Sequence, residues 1–279
     1  MDIPVHKAIQ YSDSGIFAKE ISPVSQNQLV DYVHRDNYYI FGVVESGTCC
    51  ISIDFKDYNL SAGDIIFTQP NQIHRIIDLS NAKAFILFID EVFIDIPTKQ
   101  ILATYALSPT PFKISNMQGT ELSQLFSMIL RRIRQEVTDE SNSVLQNLSC
   151  AVVGIITSAI QKIIGKQSQN RRYIEITLAF KELLSRETQI KRNVSFYAES
   201  LNISSVYLNE AVKDVTGVSV SRYIQNELIL RAKRKLVYSS LTVKEISIHL
   251  GVDDYAYFTR LFTKAVGMSP TCYRKKYLE

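Results

Sequence analysis

Between about residues 29 and 95, apolar residues come in short bursts separated by turn-formers. In Cys50-Ile51-Ser52-Ile53-Asp54-Phe55 the residues Ile51, Ile53 and Phe55 alternate with polar ones, a period of two that gives a half-buried strand one apolar face. Glu45-Ser46-Gly47 before it and Lys56-Asp57-Tyr58-Asn59 after it read as turns. Ile65-Ile66-Phe67, Ile76-Ile77 and Phe85-Ile86-Leu87-Phe88-Ile89 follow, separated by Gln69-Pro70-Asn71 and Ser80-Asn81. Short strands at this spacing predict an antiparallel sandwich or small barrel.

After Pro111 the period lengthens to about 3.6. Leu122, Leu125, Phe126, Ile129, Ile133 and Val137 form one helical stripe, and Val144, Leu148, Val152, Ile155, Ala159 and Ile163 a second. Each predicts an amphipathic helix of about 18 to 20 residues. Such a stripe covers either the sheet of its own chain or a second copy. Leu122, Leu125, Ile129 and Ile133 are the candidate dimer contacts.

The polar stretch Gln167-Ser168-Gln169-Asn170 reads as a linker, and beyond it the chain repeats itself. Gly217-Val218-Ser219-Val220-Ser221-Arg222-Tyr223 matches Gly267-Met268-Ser269-Pro270-Thr271-Cys272-Tyr273. Val194, Leu201 and Ile203 match Val243, Leu250 and Val252. Two copies of one supersecondary unit explain the match. In the second copy, Thr242-x-x-Glu245 is a capping box, Gly251 ends the helix it starts, and Asp253 or Asp254 caps the next. Phe258, Leu261 and Phe262 point inward there, leaving Asp254, Tyr255, Ala256, Thr259, Arg260, Thr263 and Lys264 as candidate DNA contacts. In the first copy Leu208, Ala211 and Val212 point inward, and Ser204, Ser205, Val206, Asn209, Glu210 and Lys213 are the candidates. A short helix docked on another, exposing small, polar and basic side chains, suits the DNA major groove. A joining helix from about Ser219 to Tyr238 would span roughly 30 Å, near the roughly 34 Å between successive major grooves on one face of DNA. Its Arg222, Arg231, Lys233, Arg234 and Lys235 are candidate phosphate contacts.

Composition changes this picture only when divided. The 279 residues carry 31 Lys and Arg against 28 Asp and Glu, a net charge of +3 that argues against a nucleic-acid partner. From residue 171 onward, however, the count is 18 against 11, a net of +7, and the first 170 residues hold 13 against 17, a net of −4. The positive part coincides with the repeat. Four cysteines without a Cys-x-x-Cys offer neither zinc framework nor disulfide pattern and fit a reducing cytosol. The first ten residues lack the apolar stretch of a signal peptide, and the apolar run from Leu148 to Ile160 is shorter than a bilayer span. These features predict a cytoplasmic protein without a membrane partner. No catalytic triad, phosphate loop or paired-carboxylate motif is present, so the chain does not read as an enzyme and no cofactor is expected.

Asp254-Tyr255-Ala256-Tyr257-Phe258-Thr259-Arg260-Leu261-Phe262, then Gly267-Met268-Ser269-Pro270 and Tyr273-Arg274, resemble the AraC/XylS family of bacterial transcription regulators from about residue 173 to 278. Val252 departs from the Phe usual in the family, and Glu210 stands where a basic residue is frequent. A carboxylate at that position repels phosphate but can accept from cytosine. The resemblance implies an α+β multidomain chain. Residues 1–166 would form a cupin-like antiparallel β-sandwich with helices at about 120–165, for sensing or dimerisation, and residues 171–279 an all-α domain with two helix-turn-helix motifs joined by a long helix. It implies double-stranded promoter or operator DNA as partner, a homodimer, a small-molecule effector and RNA polymerase as a further partner. Gly63-Asp64-Ile65-Ile66-Phe67 through Pro70 and His74 looks like the second half of a cupin motif. His34, Tyr39 and His74 are the candidate effector contacts, with packed rim residues as the competing reading. The four histidines, His6, His34, His74 and His249, include no His-x-His, so no metal site is expected. A metal-dependent cupin enzyme fused to a DNA-binding module, and a domain that only dimerises, are the alternatives.

Overall fold

The computed structural model describes residues 5–6, 14–22, 34–79, 81–107, 109–134, 139–167 and 170–278. Expectations for residues 29–33, for Ser80, for Val137 and for linker residues 168 and 169 lie outside these. The chain divides into two compact units, residues 3–164 and, for the C-terminal part, 165–279.

Among the described residues, the first unit holds ten strands: β1 (Val5–His6), β2 (Ile16–Ile21), β3 (His34–Asp36), β4 (Tyr39–Ser46), β5 (Thr48–Ile53), β6 (Lys56–Ser61), β7 (Asp64–Thr68), β8 (Ile73–Asp78), β9 (Lys83–Ile89) and β10 (Phe112–Lys113). They form two five-stranded sheets, in the orders β1-β3-β8-β5-β6 and β10-β7-β4-β9-β2. All pairings are antiparallel except β1 with β3. The cupin-like antiparallel architecture is the one expected. The turn after β5 differs from expectation. Asp54 and Phe55 take φ of 49° and 63°, the two left-handed residues of a tight hairpin, so Phe55 turns the chain and Lys56–Asn59 belong to β6. At the neighbouring hairpin, Gly47 has φ 74°, and a Cβ there would lie 1.7 Å from the Asn81 carbonyl oxygen. Only glycine fits.

Among the described residues, a short 3-10 helix (Glu91–Phe93) and three α-helices complete the unit: α1 (Ile96–Tyr105), α2 (Asn116–Ile133) and α3 (Asp139–Gln167). Ser115 and Gln118 close a capping box that starts α2. One face of the second sheet supplies Tyr39, Phe41, Val43, Ile65, Phe67, Phe85, Leu87 and Ile89 to a core completed by Leu122, Phe126, Ile129, Leu145, Val152, Val153, Ile156 and Ile160 of the helices. Leu122 and Ile129 have 0% exposure, which corrects their assignment as dimer contacts: their side chains are consumed by their own chain's core. Leu125 and Ile133 are half-buried against the same core. The buried face of α3 runs through Leu145, Ser149, Val152, Val153, Ile156 and Ile160, so Val144 of the expected stripe lies off it, while Ile155 is half-buried against the same core. At 29 residues α3 is also longer than expected. Residues Asn142–Ile164 have mean hydropathy 1.6, enough in length and apolarity to cross a bilayer, so the expectation of too short a run is overturned. Of that window, 44% is buried within the chain.

The second unit is helical: α4 (Arg171–Arg186), α5 (Val194–Ser200), α6 (Ser205–Thr216), α7 (Val220–Tyr238), α8 (Val243–His249), α9 (Tyr255–Val266) and α10 (Pro270–Leu278). Here α5 and α6 form the first helix-turn-helix copy, and α8 and α9 the second. The Thr242/Glu245 capping box is formed, Asp254 is the residue that caps α9, and Ser219 caps the 19-residue α7.

Candidate functional site

The second helix-turn-helix is built around Phe258 and Phe262, both fully buried, with Ile246, Leu250 and Val252. Burying Phe258 and Phe262 leaves Tyr255, Ala256, Arg260 and Lys264 exposed on the opposite side of α9, with Thr259 and Thr263 half-buried at its edges. Asp254 is exposed, and its carboxylate accepts from Tyr257 N–H at 2.9 Å. In the first copy Leu208, Ala211 and Val212 are buried and Ser205, Val206, Glu210 and Lys213 exposed. Ser204 caps α6, its hydroxyl accepting from Tyr207 N–H at 3.2 Å. Asn209 is different: it is half-buried, and its side-chain oxygen accepts from Val220 N–H at 3.2 Å. It ties α6 to the start of α7.

The basic residues of α7 divide likewise. Arg222 is exposed. Arg231 is half-buried; its guanidinium pairs with Glu227 at 2.8 Å and donates to the carbonyls of Leu184 and Glu187. It closes the C-terminal end of α4, which corrects its assignment as a phosphate contact. Lys233 lies 5.8 Å from the centroid of the Tyr273 ring, and burial lowers its pKa. It too belongs to the packing of α7 against α10. Arg234 and Lys235 are half-buried.

In the β-sandwich, His34 and His74 are brought together by strand register. They are directly paired residues of β3 and β8, with ring centroids 4.4 Å apart. Residues two apart on a strand share a face, so Asp36 joins them. Its Oδ2 lies 3.1 Å from His74 Nε2 and 3.7 Å from His34 Nε2, and all three residues are buried. His74 Nδ1 is 3.1 Å from the Gln72 carbonyl oxygen, which only accepts, so that nitrogen carries a proton. The turn below is held by Gln72, whose amide oxygen accepts from Gln69 N–H and whose amide nitrogen donates to Asp54. Asp54 in turn accepts from Ile73 N–H. The field of Asp36 also reaches Lys19, where it partly opposes a pKa lowered by burial.

Tyr39 does not join this group. It stacks on Phe41 at 6.3 Å in the core facing the helices. Asp36 is the member not legible in the sequence, because a His-x-Asp facing a histidine on a paired strand leaves no local His-x-His signature. Elsewhere in the sandwich a shallow cleft of 340 Å³ is lined by Thr48, Cys49, Cys50, Asn59, Leu60, Ser61 and Asp78. Burial there pushes the Cys49 thiol up to about 11, so it is a packed thiol rather than a reactive one.

Both parts of the chain are similar to known proteins. A family model described as a helix-turn-helix domain matches residues 197–276, and one described as an AraC-like ligand binding domain matches residues 24–149. The uncharacterized HTH-type transcriptional regulator YfiF of Bacillus subtilis (strain 168) is 24% identical over 252 residues, covering 88% of this chain and 79% of that protein. The HTH-type transcriptional activator RhaR of Mannheimia succiniciproducens is 22% identical over 284 residues, covering 97% and 98%. The solved structure of ToxT from Vibrio cholerae overlays 93% of this chain and 97% of that one, at 13% identity and a TM-score of 0.43.

Proposed function

The chain belongs to the AraC family of transcription regulators, DNA-binding proteins with an N-terminal ligand-binding domain, and from that premise we propose that α6 and α9 are its two readers of operator DNA. The observation that carries this is the pair of exposed faces: Ser205, Val206, Glu210 and Lys213 on α6, and Tyr255, Ala256, Arg260 and Lys264 on α9. Arg260 is the proposed base contact of α9, since an arginine fork matches the two acceptors of guanine. Glu210 makes α6 the more selective reader. Ser204 and Asp254 act on DNA through the helix ends they cap, and Arg222 is the phosphate contact of α7. At 19 residues α7 spans about 28 Å, a length suited to the spacing of adjacent major grooves.

The proposed setting is a cytoplasmic homodimer that acts on transcription with RNA polymerase and catalyses no reaction. A small molecule held by the β-sandwich would adjust its DNA affinity, with residues 1–166 sensing and residues 171–279 binding. Footprinting on genomic fragments at fixed salt tests the DNA reading. Discrete protected segments are expected, and Arg260→Ala is expected to weaken binding to them by about 1–3 kcal/mol while leaving binding to unrelated DNA nearly unchanged. Uniform binding to all fragments would overturn it.

A further inference from the structure

We propose that His34, Asp36 and His74 bind one divalent transition-metal ion, through His34 Nε2, Asp36 Oδ2 and His74 Nε2. These three side chains each offer a ligand atom, and the atoms lie within 4.8 Å of one another. Bonds of about 2.0–2.2 Å to a tetrahedral zinc ion place neighbouring ligand atoms about 3.4 Å apart, and the two edges here measure 3.1 and 3.7 Å. The longer edge is beyond hydrogen-bond reach, so one proton cannot join both imidazoles to the carboxylate as an ion can.

The hydrogen-bond pattern agrees. His74 Nδ1 is taken up by the Gln72 carbonyl, so Nε2 is the ring nitrogen left facing the Asp36 carboxylate, at 3.1 Å. A backbone carbonyl on the far nitrogen is the usual way a ligating histidine is fixed, and the Gln69–Asp54 network holds that carbonyl in place. Two imidazoles and one carboxylate suit zinc, iron or nickel rather than calcium or magnesium. With three protein ligands a coordination position stays open for water or for a donor atom of a small molecule. This extends the sensing reading of the sandwich, but ion binding is measurable whether or not an organic effector or operator is found.

The test uses full-length, tag-free protein stripped with chelator and titrated with Zn²⁺ and with Co²⁺. One ion per chain is expected by calorimetry and elemental analysis, with a rise in Tm and a Co²⁺ spectrum lacking thiolate charge-transfer bands. Asp36→Asn and His74→Gln should each weaken Zn²⁺ binding at least about tenfold, the scale on which even an outer-shell partner matters. Circular dichroism and DNA affinity of the stripped proteins verify that the variants fold. Absence of stoichiometric binding by the wild type would overturn the proposal, as would undiminished binding by the folded variants. Thiolate bands would place the ion on cysteines and overturn it equally. Should a variant not fold, the wild-type stoichiometry and Co²⁺ spectrum still decide.

Discussion

Arg231 and Lys233 lie on the same basic helix as Arg222, and their surroundings give them a different task. Arg231 reaches back to the carbonyls of Leu184 and Glu187, and Lys233 lies over Tyr273. Removing a charged donor leaves partly buried carbonyls unsatisfied. Arg231→Ala is therefore expected to lower the stability of the helical unit by about 1–3 kcal/mol in urea unfolding, without changing the salt dependence of DNA binding. Arg222→Ala is expected to do the reverse, reducing the slope of log K against log salt by about 1 while stability stays within about 0.5 kcal/mol. Lys233, whose charge burial already disfavours, should behave like Arg231.

At the scale of elements, the turn between the two helices of each copy needs a residue in the left-handed region. Gly251 has φ 79°, and a Cβ there would lie 3.3 Å from the Ile190 carbonyl oxygen. Its counterpart in the first copy is Asn202, with φ 54°. Both residues occupy the left-handed region, which asparagine tolerates and β-branched residues do not. Gly251→Val is expected to destabilise the protein by about 1–3 kcal/mol and to weaken DNA binding through misplacement of α9. Asn202→Gly is expected to remain within about 1 kcal/mol of the parent in thermal unfolding. The repeat was legible because its glycines and inward apolar residues recur at fixed offsets. The sandwich hairpin at Asp54-Phe55 was not, since an apolar residue in a left-handed turn continues the alternating pattern of the strand before it.

For the whole molecule, the question is which surface remains for a second copy once the core has taken its share. With Leu122 and Ile129 inside, the apolar residues that α2 still exposes include Met117, at 70%, and Met128, at 47%; Met128 lies three residues from the half-buried Leu125 and so beside it on the helix. If the proposed homodimer uses this side, Met128→Glu should shift it toward monomer in sedimentation velocity and lower operator affinity, with Tm changed little because Met128 lies outside the core.

The sequence alone determined the sandwich-plus-repeat organisation, the capping box of α8, and the basic C-terminal third, because each rests on short-range regularities: period, capping chemistry and charge count. The fates of individual polar residues were decided by tertiary structure. Arg231 and Asn209 each carry a side chain suited to a surface, and each is claimed by backbone on another helix or at its end, Leu184 and Glu187 for Arg231 and Val220 for Asn209. Asp36 was invisible for the converse reason: only the pairing of β3 with β8, nearly forty residues apart, sets its carboxylate between His34 and His74. Strand register is a long-range property, and a local pattern does not encode which strand will lie alongside.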